Sequence, residues 1–209
     1  MTRIAFLFPG QGSQAVGMGK GFYTTSASAK AVFEEANDAL GFDLARLMFE
    51  GPEADLALTA NTQPAVLTAS VAAAAACAER GLEPTLAAGH SLGEYSALVV
   101  ARALRFADAV RIVRKRGALM QDAVPVGTGA MAAIMGLDLR QVERVCVDAA
   151  KGEVVGVANV NSPQQIVIAG HRAAVCMAGR FIRRIPRPGT FTRQVSRSST
   201  RPRRRTRRA

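Results

Sequence analysis

Residues 89–93, Gly89-His90-Ser91-Leu92-Gly93, decide the fold, because they form a G-x-S-x-G pattern directly after the apolar stretch Leu86-Ala87-Ala88. In this pattern a strand turns sharply into a helix and leaves the serine hydroxyl exposed at the turn. Both glycines are needed, because side chains flanking the serine would collide within so tight a turn. The stretch from Glu94 to Val100 favours a helix. Ser91 is therefore predicted at a helix N-terminus, where the helix dipole favours negative charge.

A second glycine-rich turn, Pro9-Gly10-Gln11-Gly12-Ser13-Gln14, follows the first apolar strand, Ile4 to Phe8. Loops at the carboxyl ends of parallel strands are where open α/β sheets hold their sites. The backbone N–H groups of this turn are therefore candidate hydrogen-bond donors to an oxyanion that forms at the serine.

The fold class predicted from the periodicity is α/β. Strands at 3–8 and 85–89 alternate with helices between 27 and 80, at 92–101 and at 106–122, which predicts a large domain with a parallel sheet over residues 1–124. After Pro125 the pattern changes to strand 129–136, helix 138–150, strands 154–160 and 165–169, and a helix from about 171. This order is β-α-β-β-α, which predicts an incomplete ferredoxin-like small subdomain over residues 125–179 that lacks its last strand.

The formal net charge of +11 belongs to the last part of the chain. Residues 172–209 hold 13 of the 27 basic residues, all arginine, which leaves 14 basic residues against all 16 acidic residues in 1–171. With scattered prolines and no apolar period, residues 180–209 are predicted to be a disordered arginine-rich tail. Nucleic acid is expected to bind only nonspecifically through this tail, if at all, by phosphate contacts that release counterions.

A frameshift explains the same tail. A coding sequence rich in G and C, translated out of frame, yields arginine, proline and serine without lysine or acidic residues. We therefore hypothesise a frameshift near residues 176–180, with a genuine basic tail as the alternative.

Other classes of site and location have little support in the sequence. Cys77, Cys146 and Cys176 lie far apart and lack metal or redox spacing, and no metal-ligand cluster, GxGxxG or P-loop motif is present. We expect no metal and no bound cofactor. The first apolar run is too short for a signal peptide, and the segment 65–78 is shorter than the roughly 18 apolar residues of a membrane span. The sequence predicts a cytoplasmic protein without membrane contact.

Five stretches, in this order, carry a resemblance to a known family: FLFPGQGSQ, GHSLGEYSALV, RKRGALM, GTGAMAAI and NVNSP. From about residue 1 to about residue 178 the chain closely resembles the malonyl-CoA:acyl-carrier-protein transacylases of fatty-acid synthesis, whose core is shared by polyketide-synthase acyltransferase domains. The resemblance implies an α/β-hydrolase-like large domain. It also implies transfer of a malonyl group from malonyl-CoA to the phosphopantetheine thiol of acyl carrier protein, through a malonyl-serine intermediate.

The resemblance also implies a role for each matching residue. Ser91 matches the nucleophile, and the backbone N–H groups of Gln11 and Leu92 match the oxyanion hole. Arg116 matches the arginine that pairs with the free malonyl carboxylate, and Gln11 is a further expected substrate-binding residue. Without the resemblance Arg116 would be interpreted as a solvated helix charge. Further residues expected near the cleft are His90, Asn159 and Asn161.

The sequence offers no clear candidate for the general base that Ser91 needs. A serine nucleophile needs a base within hydrogen-bond reach, and the chain has two histidines, His90 and His171. His90 is expected to pack on the turn, and His171 is expected to be a satisfied surface or cap histidine. The resemblance places the family's base further on, where this sequence has become the arginine tail. Activity of the chain is therefore expected to be impaired. Two alternatives remain: a catalytically inactive fragment or basic binding protein, and a serine hydrolase, against which a carboxylate-binding Arg116 argues.

Overall fold

The computed structural model describes residues 3–124 and 127–185 in full, and residues 191–194 by their backbone. The chain divides between Ala123 and Val124 into two compact units.

The first unit combines a parallel strand pair with helices. Strands β1 (Ala5–Phe8) and β2 (Leu86–Gly89) pair in parallel, with Leu7 opposite Ala88. The helices of this unit are α1 (Lys20–Thr25), α2 (Ala27–Leu40), α3 (Leu44–Glu50), α4 (Glu53–Leu56), α5 (Thr59–Ala78), α6 (Gly93–Val100) and α7 (Phe106–Ala123). The prediction of a mixed α/β fold with a parallel sheet is confirmed.

Helix α5 forms the centre of the first unit. Its 20 residues include no charged side chain, and α2, α6 and α7 pack around it. The core that these helices share contains fully buried Phe33, Met48 and Leu67. Burying side chains of this size contributes about 1.5–3 kcal/mol each. Although α5 is long and apolar, none of the helices in the described residues meets the length and hydropathy needed to cross a membrane.

The strand pair of the first unit is covered on one face only. Phe8 packs with Ala74 of α5 and Ala97 of α6. On the opposite face Leu7 is 75% exposed and Leu86 is 60% exposed in the part of the chain that the structure describes. Parallel sheets are ordinarily buried on both faces, so this exposure is unusual.

The second unit is a four-stranded antiparallel sheet with two helices. Its elements are β3 (Gly129–Met135), α8 (Leu139–Ala150), β4 (Val155–Ser162), β5 (Gln165–His171), α9 (Arg172–Ile182) and β6 (Phe191–Gln194), and the strand order is β4-β5-β3-β6. Helix α8 begins where the sequence predicts it, because Asp138 accepts a hydrogen bond from the Gln141 N–H at 2.8 Å and the Gln141 side chain accepts one from the Asp138 N–H at 3.1 Å.

The predicted absence of a last strand is wrong. Residues 191–194 form β6, which pairs antiparallel with β3 from Met131 opposite Gln194 to Ile134 opposite Phe191. Strand β3 would otherwise leave its N–H and C=O groups unpaired along this edge, and a short strand of any composition satisfies them. Helix α9 also continues to Ile182, past the predicted start of the tail at residue 180. The rest of the tail prediction, at 186–190 and 195–209, lies outside the described residues.

Candidate active site

Ser91 lies at the turn between β2 and α6 with a φ of +54°, a left-handed conformation that non-glycine residues rarely adopt. The glycines on either side make this turn possible. A Cβ on Gly89 would lie 2.0 Å from the carbonyl carbon of Gly93, and a Cβ on Gly93 would lie 2.2 Å from the carbonyl oxygen of Phe8. The exposed Ser91 side chain stands beside Leu92, whose own side chain is fully buried and anchors the turn. The steric reason for both glycines is thus visible in the contacts.

The loop after β1 packs directly on this turn. The His90 N–H donates to the Phe8 carbonyl at 3.1 Å, and a Cβ on Gly10 would lie 2.8 Å from the His90 carbonyl oxygen. Within residues 3–124 and 127–185, no protein acceptor takes the N–H of Gln11 or that of Leu92. These two N–H groups therefore stay available to a ligand, and their part in an oxyanion hole stays a prediction.

Arg116 of α7 reaches the serine. Its Nη2 donates to Ser91 Oγ at 3.2 Å, and its guanidinium lies 5.9 Å from the centre of the Tyr95 ring. The neighbouring Arg114 makes different contacts: it donates to the Ala60 carbonyl at 2.8 Å and to the Asn61 side chain. The structure therefore distinguishes an arginine that contacts Ser91 from one that joins α7 to the start of α5.

Gln63 completes this arrangement, and the sequence reasoning missed it. It is fully buried in α5, and its Oε1 accepts from Arg116 Nη1 at 2.8 Å. Its Nε2 faces Gln11 Oε1 at 3.5 Å and Met120 Sδ at 3.2 Å. Gln63 is one of several polar residues in an uncharged helix, so the sequence carried no signal that set it apart. Its burial shows its importance, because buried polar groups need partners.

The two histidines occupy different units. His90 Nδ1 lies 2.9 Å from where a Cβ on Gly10 would stand, so its ring packs against the loop after β1. A place for His90 near a cleft stays a prediction. His171 ends β5 in the second unit, where its Nδ1 accepts from the Val154 N–H at 3.4 Å.

The predicted cleft residues Asn159 and Asn161 both lie on β4 of the second unit. Asn161 Nδ2 donates to Gln165 Oε1 at 2.8 Å, across the turn that joins β4 to β5. Their role toward substrate stays a prediction. Among the residues that the structure describes, no three His, Cys, Asp or Glu side chains are grouped to hold a metal ion.

The profile of the family described as "Acyl transferase domain" matches residues 5–199 of the chain. The chain belongs to the acyl transferase family. The match continues past residue 178, where the resemblance was expected to fade, and includes β6. An acyl transferase domain therefore includes the turn at residues 89–93, the loop after β1, and α7.

Curated relatives of this acyl transferase domain carry a more specific name. The malonyl CoA-acyl carrier protein transacylase of Escherichia coli (strain K12) is 54% identical over 180 residues, which are 86% of this chain and 58% of the relative. That of Bacillus subtilis (strain 168) is 51% identical over 182 residues, 87% of this chain and 57% of the relative. The resemblance to this enzyme family is confirmed. The acyl transferase chain spans a little under three fifths of the length of these relatives.

Solved structures agree with the acyl transferase fold. The malonyl CoA-acyl carrier protein transacylase of Clostridium perfringens superposes with a TM-score of 0.85 at 40% identity, over 92% of this chain and 60% of that one. A structure of a type II PKS acyl-carrier protein in complex with its malonyl-transacylase matches with a TM-score of 0.81 at 50% identity, over 86% of this chain and 58% of the other.

Proposed function

We propose that this chain carries the malonyl-binding half-site of a malonyl-CoA:acyl-carrier-protein transacylase. The observation that supports this most directly is the 3.2 Å contact between Arg116 Nη2 and Ser91 Oγ. In a malonyl group the free carboxylate stands one carbon from the reacting carbonyl. An arginine within hydrogen-bond reach of the nucleophile is therefore well placed to bind the carboxylate while the serine attacks.

The reaction has two balanced steps. Ser91 Oγ attacks the thioester carbonyl of malonyl-CoA, the carbon–sulfur bond breaks, and coenzyme A leaves with the serine proton on its thiol as malonyl-serine forms. The phosphopantetheine thiol of acyl carrier protein then attacks the ester carbonyl, the ester carbon–oxygen bond breaks, and the thiol proton returns to the serine oxygen as the malonyl thioester of the carrier protein leaves. In both steps the N–H groups of Gln11 and Leu92 are proposed to stabilise the negative oxygen of the tetrahedral intermediate.

Arg116 gives this site its preference for an acyl group with a charged end. A guanidinium binds a carboxylate through two parallel hydrogen bonds, which a lysine would not provide. A plain ester offers nothing to this group. The contact of Arg116 with the nucleophile therefore favours malonyl transfer over the serine hydrolase alternative.

Turnover by the 209-residue chain is proposed to be slow, because neither of its two histidines is assigned as the base for Ser91. The His90 ring packs at Gly10, and His171 Nδ1 accepts from the Val154 N–H. Losing the base of a serine–histidine pair costs on the order of 10⁶ in rate, although an oxyanion hole leaves some acceleration over water.

The domain assignment follows from the same family. The first unit is proposed as the N-terminal part of an α/β-hydrolase-like large domain. The second is proposed as a ferredoxin-like subdomain, supported by its β-α-β-β-α-β order and antiparallel sheet. A cytoplasmic location, with malonyl-CoA and acyl carrier protein as partners, belongs to this proposal.

Intact-mass spectrometry after mixing the chain with malonyl-CoA or acetyl-CoA tests the function. We expect a malonyl adduct that accumulates slowly, exceeds the acetyl adduct, and disappears in Ser91→Ala. Arg116→Ala should bring the two adducts to similar levels. Equal acylation of the wild-type chain by malonyl-CoA and acetyl-CoA would contradict the proposal. Full malonylation within seconds would show that the chain supplies a base for Ser91.

A further inference from the structure

Gln63 is the middle of a line of hydrogen bonds that joins the arginine to the loop after β1. Arg116 Nη1 donates to Gln63 Oε1 at 2.8 Å, and Gln63 Nε2 faces Gln11 Oε1 at 3.5 Å. Gln11 Nε2 in turn donates to Thr59 Oγ1 at 3.3 Å. Three segments that are distant in sequence, the loop after β1, α5 and α7, are thus connected through one buried amide.

The direction of this line follows from chemistry. A guanidinium has donors only, so the oxygen of the Gln63 amide must face Arg116. The amide nitrogen of Gln63 must then point toward Gln11, whose oxygen turns to receive it. The positive charge of Arg116 polarises the Gln63 amide, and each donor in the line polarises the next, which strengthens the hydrogen bonds beyond their separate values.

The burial of Gln63 makes this arrangement rigid. The side chain is fully buried in the core formed by the helices, whereas Gln11 is exposed. A buried amide that loses a partner suffers a desolvation penalty, so Gln63 is held in the one orientation that satisfies both of its ends. An arginine bonded to a fixed acceptor keeps few of its many rotamers and loses less entropy when it binds a ligand.

We propose that Gln63 is the positioning residue that sets carboxylate selectivity at this acyl site. It holds one nitrogen of Arg116 so that the other, Nη2, faces Ser91, and it fixes the Gln11 side chain next to the backbone N–H assigned to the oxyanion. The inference rests on the proposed function. Without Gln63, Arg116 keeps its charge but not its direction, and a malonyl carboxylate gains little over a methyl group.

The test compares binding of malonyl-CoA and acetyl-CoA to the full chain by isothermal titration calorimetry. Gln63→Leu removes the amide at similar volume, and Arg116→Ala gives the reference for complete loss of selectivity. Thr68→Val is the matched control, because Thr68 lies on the same helix, is fully buried, and its hydroxyl has no partner within the described residues. We expect Gln63→Leu to reduce the malonyl preference about ten- to hundredfold, as for a lost hydrogen bond to a charged group, with Thr68→Val unchanged.

Gln63→Met is the second variant if the leucine variant does not fold, because it also removes the amide oxygen that accepts from Arg116 but keeps an unbranched side chain of similar length. It too should abolish the malonyl preference. Selectivity that survives in Gln63→Leu or Gln63→Met would overturn the inference alone. An equal loss of affinity for malonyl-CoA and acetyl-CoA would show that Gln63 has a merely structural role, and this result would also overturn the inference. Equal binding of both esters by the wild-type chain would overturn the proposed function, and this inference with it.

Discussion

Glu79, at the C-terminal end of α5, also caps the N-terminus of α2. The Ser28 N–H donates to Glu79 Oε1 at 2.6 Å, and the Ser26 side chain accepts from the Ala29 N–H at 3.0 Å. The hydrogen bond from the Ser28 backbone, followed by those from the Ser28 and Ser26 side chains, lowers the pKa of Glu79 from its ordinary value of 4.5. The charged form of this one residue therefore stabilises the junction of two helices.

Replacement of Glu79 should change how stability depends on pH. Because the folded-state pKa is lowered, the stabilisation is present above the unfolded value of 4.5 and is lost as the pH falls through the lower folded value. We expect Glu79→Gln to unfold at lower urea than the wild-type chain near neutral pH, with the difference shrinking in acid. Circular dichroism during urea titration at several pH values measures this. Glu83→Gln, on an exposed residue nearby, is the control, and a difference that persists unchanged in acid would contradict the explanation.

Gly117 sets the distance between α7 and the start of α5. A Cβ at this position would lie 2.6 Å from the Thr59 carbonyl oxygen and 2.8 Å from Ala60 Cα, both of which are backbone atoms and have little freedom to move away. Helices approach this closely only where one of them has no side chain. The approach brings Arg116, the preceding residue, within reach of Gln63.

Gly117→Ala is therefore expected to lower the free energy of unfolding by about 1–3 kcal/mol, the usual effect of overpacking. Gly21→Ala provides a control of opposite sign, because Gly21 is also helical but a Cβ there would meet no atom within 4 Å. That change should raise the free energy of unfolding by about 0.5–1 kcal/mol. Urea titration followed by circular dichroism measures both. Destabilisation by both alanines would show that the close helix approach is not the cause.

The secondary-structure elements that the sequence predicted are those with strong local signals. Helix α8 was predicted at 138–150, close to its observed bounds, and β2 was predicted from an apolar run that ends at Gly89 of the G-x-S-x-G turn. Strand β6 was missed because what holds it is β3, more than 50 residues earlier, while its own surroundings are rich in arginine and proline. Gln63 was missed for the same reason, since its partners on the β1 loop and α7 are distant in sequence.

In the whole molecule, the bare face of the β1–β2 pair is the main departure from an ordinary α/β unit. Leu7 and Leu86 are 75% and 60% exposed, although they lie in adjacent parallel strands. Exposed neighbouring leucines on a strand pair favour association with other apolar surfaces. We therefore expect the chain to self-associate as its concentration rises.

Lysine at both positions, Leu7→Lys with Leu86→Lys, should suppress this association and leave the helical circular dichroism signal unchanged. Sedimentation velocity over a range of concentrations measures the effect. Val147→Lys is the matched control, because Val147 is also 75% exposed but lies on α8 of the second unit. If the control variant reduces association as much as the double variant does, the strand face is not responsible.

The bare strand face also affects how much of this chain a cell retains. Chaperones and proteases recognise apolar segments that stay accessible, and the steady-state amount of a protein depends on how often they find them. The two leucines are accessible in the folded state itself, without any unfolding. The amount of this chain in a cell should therefore depend on how often proteases and chaperones recognise β1 and β2. The double lysine variant should have a longer cellular half-life than the wild-type chain.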